Sequence, residues 1–131
     1  MYLDANFFII GMFNRSKKGD AARNIMSSIK QGKKALTSSL ALDEVMQVLY
    51  KNNWHTDVRV IIEEIYGIKN LEVKEVSSLV PLRALHFMEE YKLKPRDAFH
   101  AAIMESFGIK EIVTDDQDFD EIPDIKRIKM Q

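Results

Sequence analysis

Carboxylates carry the chemical promise of this chain, and four places hold one in an unusual setting. Asp4 follows the short apolar start Tyr2-Leu3, with Asn6 two residues on. Glu44, on a helix, has Leu40, Ala41, Gln47 and Val48 as neighbours three and four residues away. That flank is mostly apolar, so its charge needs a partner, because burying an unpaired carboxylate is costly. Asp43 neighbours Ser39 and Gln47 instead and reads as solvated. Asp97 lies just after Pro95, which marks the first turn of a helix, where the helix dipole favours an anion by about 0.3–1 kcal/mol. The run Thr114-Asp115-Asp116-Gln117-Asp118-Phe119-Asp120 places four acids within six residues. At about 5 Å a carboxylate pair costs about 1 kcal/mol in water and about 3 kcal/mol at an effective dielectric of roughly 20. A divalent cation reverses the sign of that energy, and hard oxygen ligands suit Mg²⁺ or Mn²⁺. Each acid also has an ordinary structural use: a helix N-cap for Asp4, a boundary side chain turned to water for Glu44, a dipole partner for Asp97, and a solvated loop for residues 115–120.

The remaining composition narrows the chemistry. The 131 residues contain no cysteine, which removes disulfides, thiolate metal sites and cysteine nucleophiles together. The three histidines, His55, His86 and His100, share no metal-ligand spacing, so a zinc hydrolase is disfavoured. His100 sits one turn beyond Asp97 and reads as a core histidine, with orientation of that carboxylate as the alternative. A net charge of -1 means that any nucleic-acid binding must be local. Seven Lys/Arg against one acid fill residues 15–34, and seven acids with no Lys or Arg fill residues 111–124. Arg15, Lys17, Lys18, Arg23, Lys33 and Lys34 are therefore candidates for a basic rim around an acidic centre. The aromatics form no stacking platform.

The elements that must position these side chains follow from periodicity. A short strand over residues 1–4 runs into a helix over 6–13, and a second helix spans 17–31 up to Gly32. A strand over 35–37 precedes a helix capped by Ser38 or Ser39, and a further amphipathic run ends at Gly67; these two helices should form a hairpin. A strand over 71–76, helices over 79–91 and 95–107, a strand over 111–114 and a last short strand over 125–129 complete the chain. Strands alternating with helices or helix pairs predict an α/β fold: a three-layer α/β/α sandwich with a short, mainly parallel sheet, in one domain over residues 1–131. Chemistry in such sheets sits at the carboxyl ends of the strands, where Asp4 and the acids after residue 114 fall. No stretch is long and apolar enough for a membrane helix, and the start of the chain lacks a signal peptide, so a cytoplasmic protein is expected.

Four segments in order resemble the PIN-domain family, especially its short toxins of the VapC type. They are Leu3-Asp4-Ala5-Asn6, Thr37-Ser38-Ser39-Leu40-Ala41-Leu42-Asp43-Glu44-Val45, Arg96-Asp97-Ala98-Phe99-His100-Ala101-Ala102 and Val113-Thr114-Asp115-Asp116-Gln117-Asp118-Phe119. The resemblance implies that the family's acids fall on Asp4, Glu44, Asp97 and Asp116, with Asp118 as a frequent further acid and Thr114 and Asn6 as supporting polar residues. It implies a PIN-like endoribonuclease dependent on Mg²⁺ (or Mn²⁺), with Asp4, Asp97, Asp116 and Glu44 toward the metal. It also implies an RNA substrate, a cognate antitoxin as partner and a homodimer, in a type II toxin-antitoxin pair. The hairpin over residues 39–67, with Met46, Tyr50 and Trp54, is the expected antitoxin contact. A nuclease of RNA maturation and a non-catalytic binding module are the alternatives on the same fold. Receiver-like and haloacid-dehalogenase-like readings lack their acids: only Asp4 stands in Asp4-Ala5-Asn6, and Thr37-Ser38-Ser39 supplies no phospho-acceptor.

Overall fold

The structure, a computed structural model, describes residues 1–54 and 57–131. His55, one of the three histidines, lies outside the described residues. Five strands form one sheet in the order β3-β2-β1-β4-β5: β1 (Tyr2–Leu3), β2 (Ala35–Ser38), β3 (Leu71–Lys74), β4 (Glu111–Val113) and β5 (Lys126–Ile128). Every pairing is parallel, so the sheet is wholly rather than mainly parallel. The helices are α1 (Ala5–Phe13), α2 (Lys17–Lys30), α3 (Ser39–Lys51), α4 (Val58–Tyr66), α5 (Val80–Tyr91) and α6 (Pro95–Ser106), and a 3-10 turn spans Gln117–Glu121.

The period-2 alternation of each strand divides the core into two layers. Leu3, Ala35, Leu71 and Val113 face one side, where Phe7, Phe8, Ala22, Ile29, Val45, Leu49 and Ile65 of α1 to α4 cover them. Tyr2, Leu36 and Ile112 face the other, under Ala84 and Phe87 of α5 and Ala98, Ala101 and Ala102 of α6. The alanines of α6 are fully buried, and their small side chains let that helix lie close to the sheet. The expected three-layer sandwich is thus the observed one.

Ends of elements follow local chemistry. Ser38, rather than Ser39, caps α3: its Oγ accepts the Ala41 N–H at 3.2 Å. Helix α6 closes at Gly108, whose φ of +67° turns the chain so that Ile109 N–H reaches the Met104 carbonyl at 2.9 Å. The strand expected over residues 71–76 stops at Lys74, because its partner β2 ends at Ser38, opposite Lys74, where the chain enters α3. Helices α3 and α4 pack against each other as expected of a hairpin. No helix among the described residues is long and apolar enough to cross a membrane.

Candidate active site at the carboxyl edge of the sheet

In an all-parallel sheet every strand delivers its following residue to the same edge. Asp4 leaves β1, Ser38 ends β2 and Thr114 leaves β4 there, and α6 begins there before running back toward the start of β4. Asp4 is 7% exposed and uses its side chain to accept the Phe7 N–H at 3.1 Å, capping α1. The cap and the site are therefore one residue rather than rival readings. Burial pushes the Asp4 carboxyl up to about 6; the Thr114 hydroxyl, the Phe7 amide and the nearby His100 act in the opposite sense, and Glu44 adds to the rise. Thr114 is fully buried, hydrogen-bonds the Asp4 side chain and accepts the Asp116 N–H at 3.1 Å, so it ties the two acids together.

Asp97, Asp116 and Asp118 converge, each offering one oxygen within 4.8 Å of the others. Asp97 reaches this point from the first turn of α6. Asp116 caps the 3-10 turn by accepting the Asp118 N–H at 2.9 Å, which folds Asp118 back beside it. The carboxyl of Asp97 rises to about 7, first through burial and then through the Asp116 carboxylate at hydrogen-bonding reach, with Asp118 contributing. Asp115 and Asp120 leave the group. Lys18 of α2 meets Asp115 at 2.5 Å, and the half-buried Arg127 of β5 holds Asp120 through two hydrogen bonds of 2.9 and 2.8 Å. The four clustered acids of residues 115–120 are thus sorted into two neutralised by cations and two left facing Asp97. That sorting was invisible in the sequence: Lys18 is far from the loop along the chain, and Arg127, seven residues after Asp120, meets it only because β5 packs beside the 3-10 turn.

Glu44 stands apart from the trio but adjoins Asp4, whose carboxyl it raises. Its expected partner is present: His100 Nε2 hydrogen-bonds Glu44 Oε1. His100 is 3% exposed, a core histidine as expected, but it orients Glu44 and not Asp97. Its other ring nitrogen, Nδ1, meets the Tyr2 hydroxyl at 2.7 Å, and that hydroxyl meets Ser38 Oγ at 2.7 Å. Tyr2 and Ser38 gave no signal in the sequence beyond a strand residue and a cap. Asn6 lies exposed on the first turn of α1, beside Asp4.

The basic rim needs correcting. Arg15 and Lys17 are exposed at the start of α2, and Lys18 touches the acidic loop through Asp115. Arg23 is spent internally, bonded to the Gly11 and Asn14 carbonyls at 3.0 and 2.9 Å and to Asp20. Lys33 and Lys34 precede β2 and lie beside Met1, at the amino edge opposite the acids. Of the proposed antitoxin residues, Trp54 stacks on Phe13 with ring centroids 4.3 Å apart, and Met46 is 39% exposed. A groove of about 690 Å³ is lined by Phe7, Phe8 and Met12 of α1 and Met26 of α2, with Ile61, Glu64 and Ile65 of α4 from the hairpin.

An all-parallel α/β sandwich gathers these carboxylates at its carboxyl edge, and oxygen donors of this kind suit a hard cation. The PIN domain family model matches residues 1–125, and the chain belongs to that family. No curated protein matches it. Among solved structures, the chain is similar to Mycobacterium tuberculosis VapC20, a Sarcin-Ricin loop cleaving toxin, at 18% identity, TM-score 0.75, over 93% of this chain and 94% of that one. It is similar to a chain of Rickettsia felis VapBC2, bound there to a DNA fragment from its promoter, at 15% identity, TM-score 0.77, over 99% and 98%. VapBC-1 of nontypeable Haemophilus influenzae matches at 20% identity, TM-score 0.71, over 98% and 96%. At these identities the likeness is one of fold.

Proposed function

We propose that this chain, acting as one domain, is an endoribonuclease dependent on Mg²⁺ or Mn²⁺ and the toxin of a type II toxin-antitoxin pair. The observation that carries this reading is the convergence of Asp97, Asp116 and Asp118 within 4.8 Å at the sheet's carboxyl edge, with Asp4 and Thr114 linked to them. The donor set fits the ion: it is all oxygen, and the rise of Asp97 to about 7, through burial first and then the Asp116 carboxylate, includes a repulsion that a cation relieves. Asp97, Asp116 and Asp118 would hold the ion, with Asp4 adjoining and Glu44 toward a second position. When bound, such an ion supplies Lewis acidity toward a phosphodiester and makes hydroxide available near neutral pH. Thr114 holds Asp4 and the Asp116 backbone in place, and the 3-10 turn aims Asp118. Arg15, Lys17 and Lys18 supply positive charge beside the acidic loop, where a polyanion has to approach.

The solved VapBC relatives support an antitoxin as partner. We place it on the apolar groove between α1, α2 and α4 rather than on the α3–α4 face alone. A homodimer belongs to the same reading; Leu79, just before α5, and Leu82 and Leu85 on it are exposed, and light scattering tests it. The enzymatic test is cleavage of structured RNA with Mn²⁺. Activity should vanish with chelator and fall by at least about 10²-fold in Asp97→Asn or Asp4→Asn, comparable to the loss of a preorganised electrostatic group. Undiminished metal-dependent cleavage by either variant would falsify the assignment.

A further inference from the structure

Four buried groups join Glu44 to the body of the fold. Ala41 N–H donates to Ser38 Oγ at 3.2 Å, Ser38 and the Tyr2 hydroxyl meet at 2.7 Å, Tyr2 and His100 Nδ1 meet at 2.7 Å, and His100 Nε2 meets Glu44 Oε1. Tyr2, Ser38 and His100 are at most 3% exposed. Only one direction of donation uses every group. If Nδ1 donated to Tyr2, the Tyr2 hydroxyl would donate to Ser38, and the fully buried Ser38 hydroxyl would have no acceptor; a buried hydroxyl without one costs about 1–3 kcal/mol. In the other direction Ser38 donates to Tyr2, Tyr2 donates to Nδ1, and Nε2–H donates to the Glu44 carboxylate. The chain links three elements, β1 through Tyr2, the cap of α3 through Ser38 and the first turns of α6 through His100; Asp4 follows the first, and Glu44 and Asp97 lie on the other two.

We propose that His100 is a positioning residue: fixed through Tyr2 and Ser38, its ring aims the Glu44 carboxylate at the site. A buried histidine that only filled core volume would also need both ring nitrogens paired, but not by a carboxylate at the edge of the site. A long side chain such as Glu44, 19% exposed, otherwise samples several rotamers, and restricting it preorganises the site. The inference rests on the nuclease reading for its catalytic consequence and on the geometry alone for the orientation.

Tyr2→Phe tests it with the core volume kept. Calorimetric titration of Mn²⁺ without RNA should show binding weakened on the order of 10-fold, the usual effect of losing a group that orients a metal-site side chain. With RNA, kcat should fall by a similar factor while KM stays constant. His100→Leu should match Tyr2→Phe, and His100→Gln, which retains a donor toward Glu44, should recover most of the loss. In a Glu44→Gln background, Tyr2→Phe should change neither quantity further, because its effect passes through that carboxylate. Independent, additive losses overturn the proposal, and Tyr2→Phe decides it if His100→Leu fails to fold. The hydrogen-bond direction is read without metal: long-range ¹H–¹⁵N spectra at mildly alkaline pH should show the His100 proton on Nε2, and a proton on Nδ1, alone or with Nε2, overturns the assignment. A chain that binds Mn²⁺ but cleaves no RNA removes the nuclease reading and leaves the binding cycle to judge His100; a chain that binds no Mn²⁺ overturns both.

Discussion

Asp97 and Asp4 keep their protons up to about 7 and about 6, well above the ordinary carboxylate value of 3.8, because burial and neighbouring acids penalise the charged forms. The consequence for stability has a definite sign. The folded state binds these protons more tightly than the unfolded chain, so stability falls as pH rises from about 4 to about 7 and then levels off. Divalent cations compete with the same protons, so Mg²⁺ should raise the melting temperature more at pH 8 than at pH 5. Scanning calorimetry of the wild type and Asp97→Asn checks this: the variant should lose much of both the pH slope and the cation effect. Equal cation shifts at the two pH values would count against the site. Thr114 acts at the same scale. Thr114→Val leaves the Asp116 amide without its acceptor and frees Asp4, so it should cost about 1–3 kcal/mol in denaturant unfolding and reduce cleavage.

Elements hold the site through their junctions. The α1–α2 corner is the tightest: a Cβ on Gly19 would lie 1.8 Å from the Asn14 carbonyl oxygen and 2.6 Å from its carbon. Asn14 caps the corner, its side chain accepting the Ser16 N–H at 2.8 Å, and Arg23 clamps the Asn14 and Gly11 carbonyls. Backbone must therefore move in Gly19→Ala, and a loss of about 1–3 kcal/mol is expected from such overpacking, measured by urea unfolding. The same shift would displace Lys18 from Asp115, one residue from the corner. At the other side of the acidic cluster, Arg127 fastens the 3-10 turn to β5, so the last strand helps to hold that turn.

Across the whole molecule, one parallel sheet separates two edges of different character. Acids occupy the carboxyl edge, and Lys33 and Lys34 sit by Met1 at the amino edge. RNA binding should therefore depend on one group of cations only. Neutralising Arg15 and Lys17 together should weaken binding and lower the slope of log K against log salt by about 1 for each phosphate left without its cation, whereas Lys33→Ala with Lys34→Ala should leave it unchanged. Fluorescence anisotropy over a salt series checks both. Equal effects from the two pairs would show that the polyanion does not follow the carboxyl edge.

The alternation of strands and helices, the caps and the order of the acids were legible because they are local: period 2 or 3.6, a Pro in a first turn, a Gly after a last one, and Asp4 directly behind an apolar pair. Periodicity alone also pointed to Glu44 as a charge in need of a partner. What it could not supply was the partner. His100 lies 56 residues away, Arg127 serves Asp120 of the 3-10 turn from β5, and Lys33 and Lys34 share a charge run with Lys18 yet end at the opposite edge. The one-dimensional chain determined the fold class, the family likeness and a set of candidate acids. Tertiary structure alone decided which of them meet, which are neutralised and which are aimed, because Coulomb energies and hydrogen bonds depend on distance in space and fall off within a few ångströms, while spacing along a chain says nothing about which strand ends become neighbours.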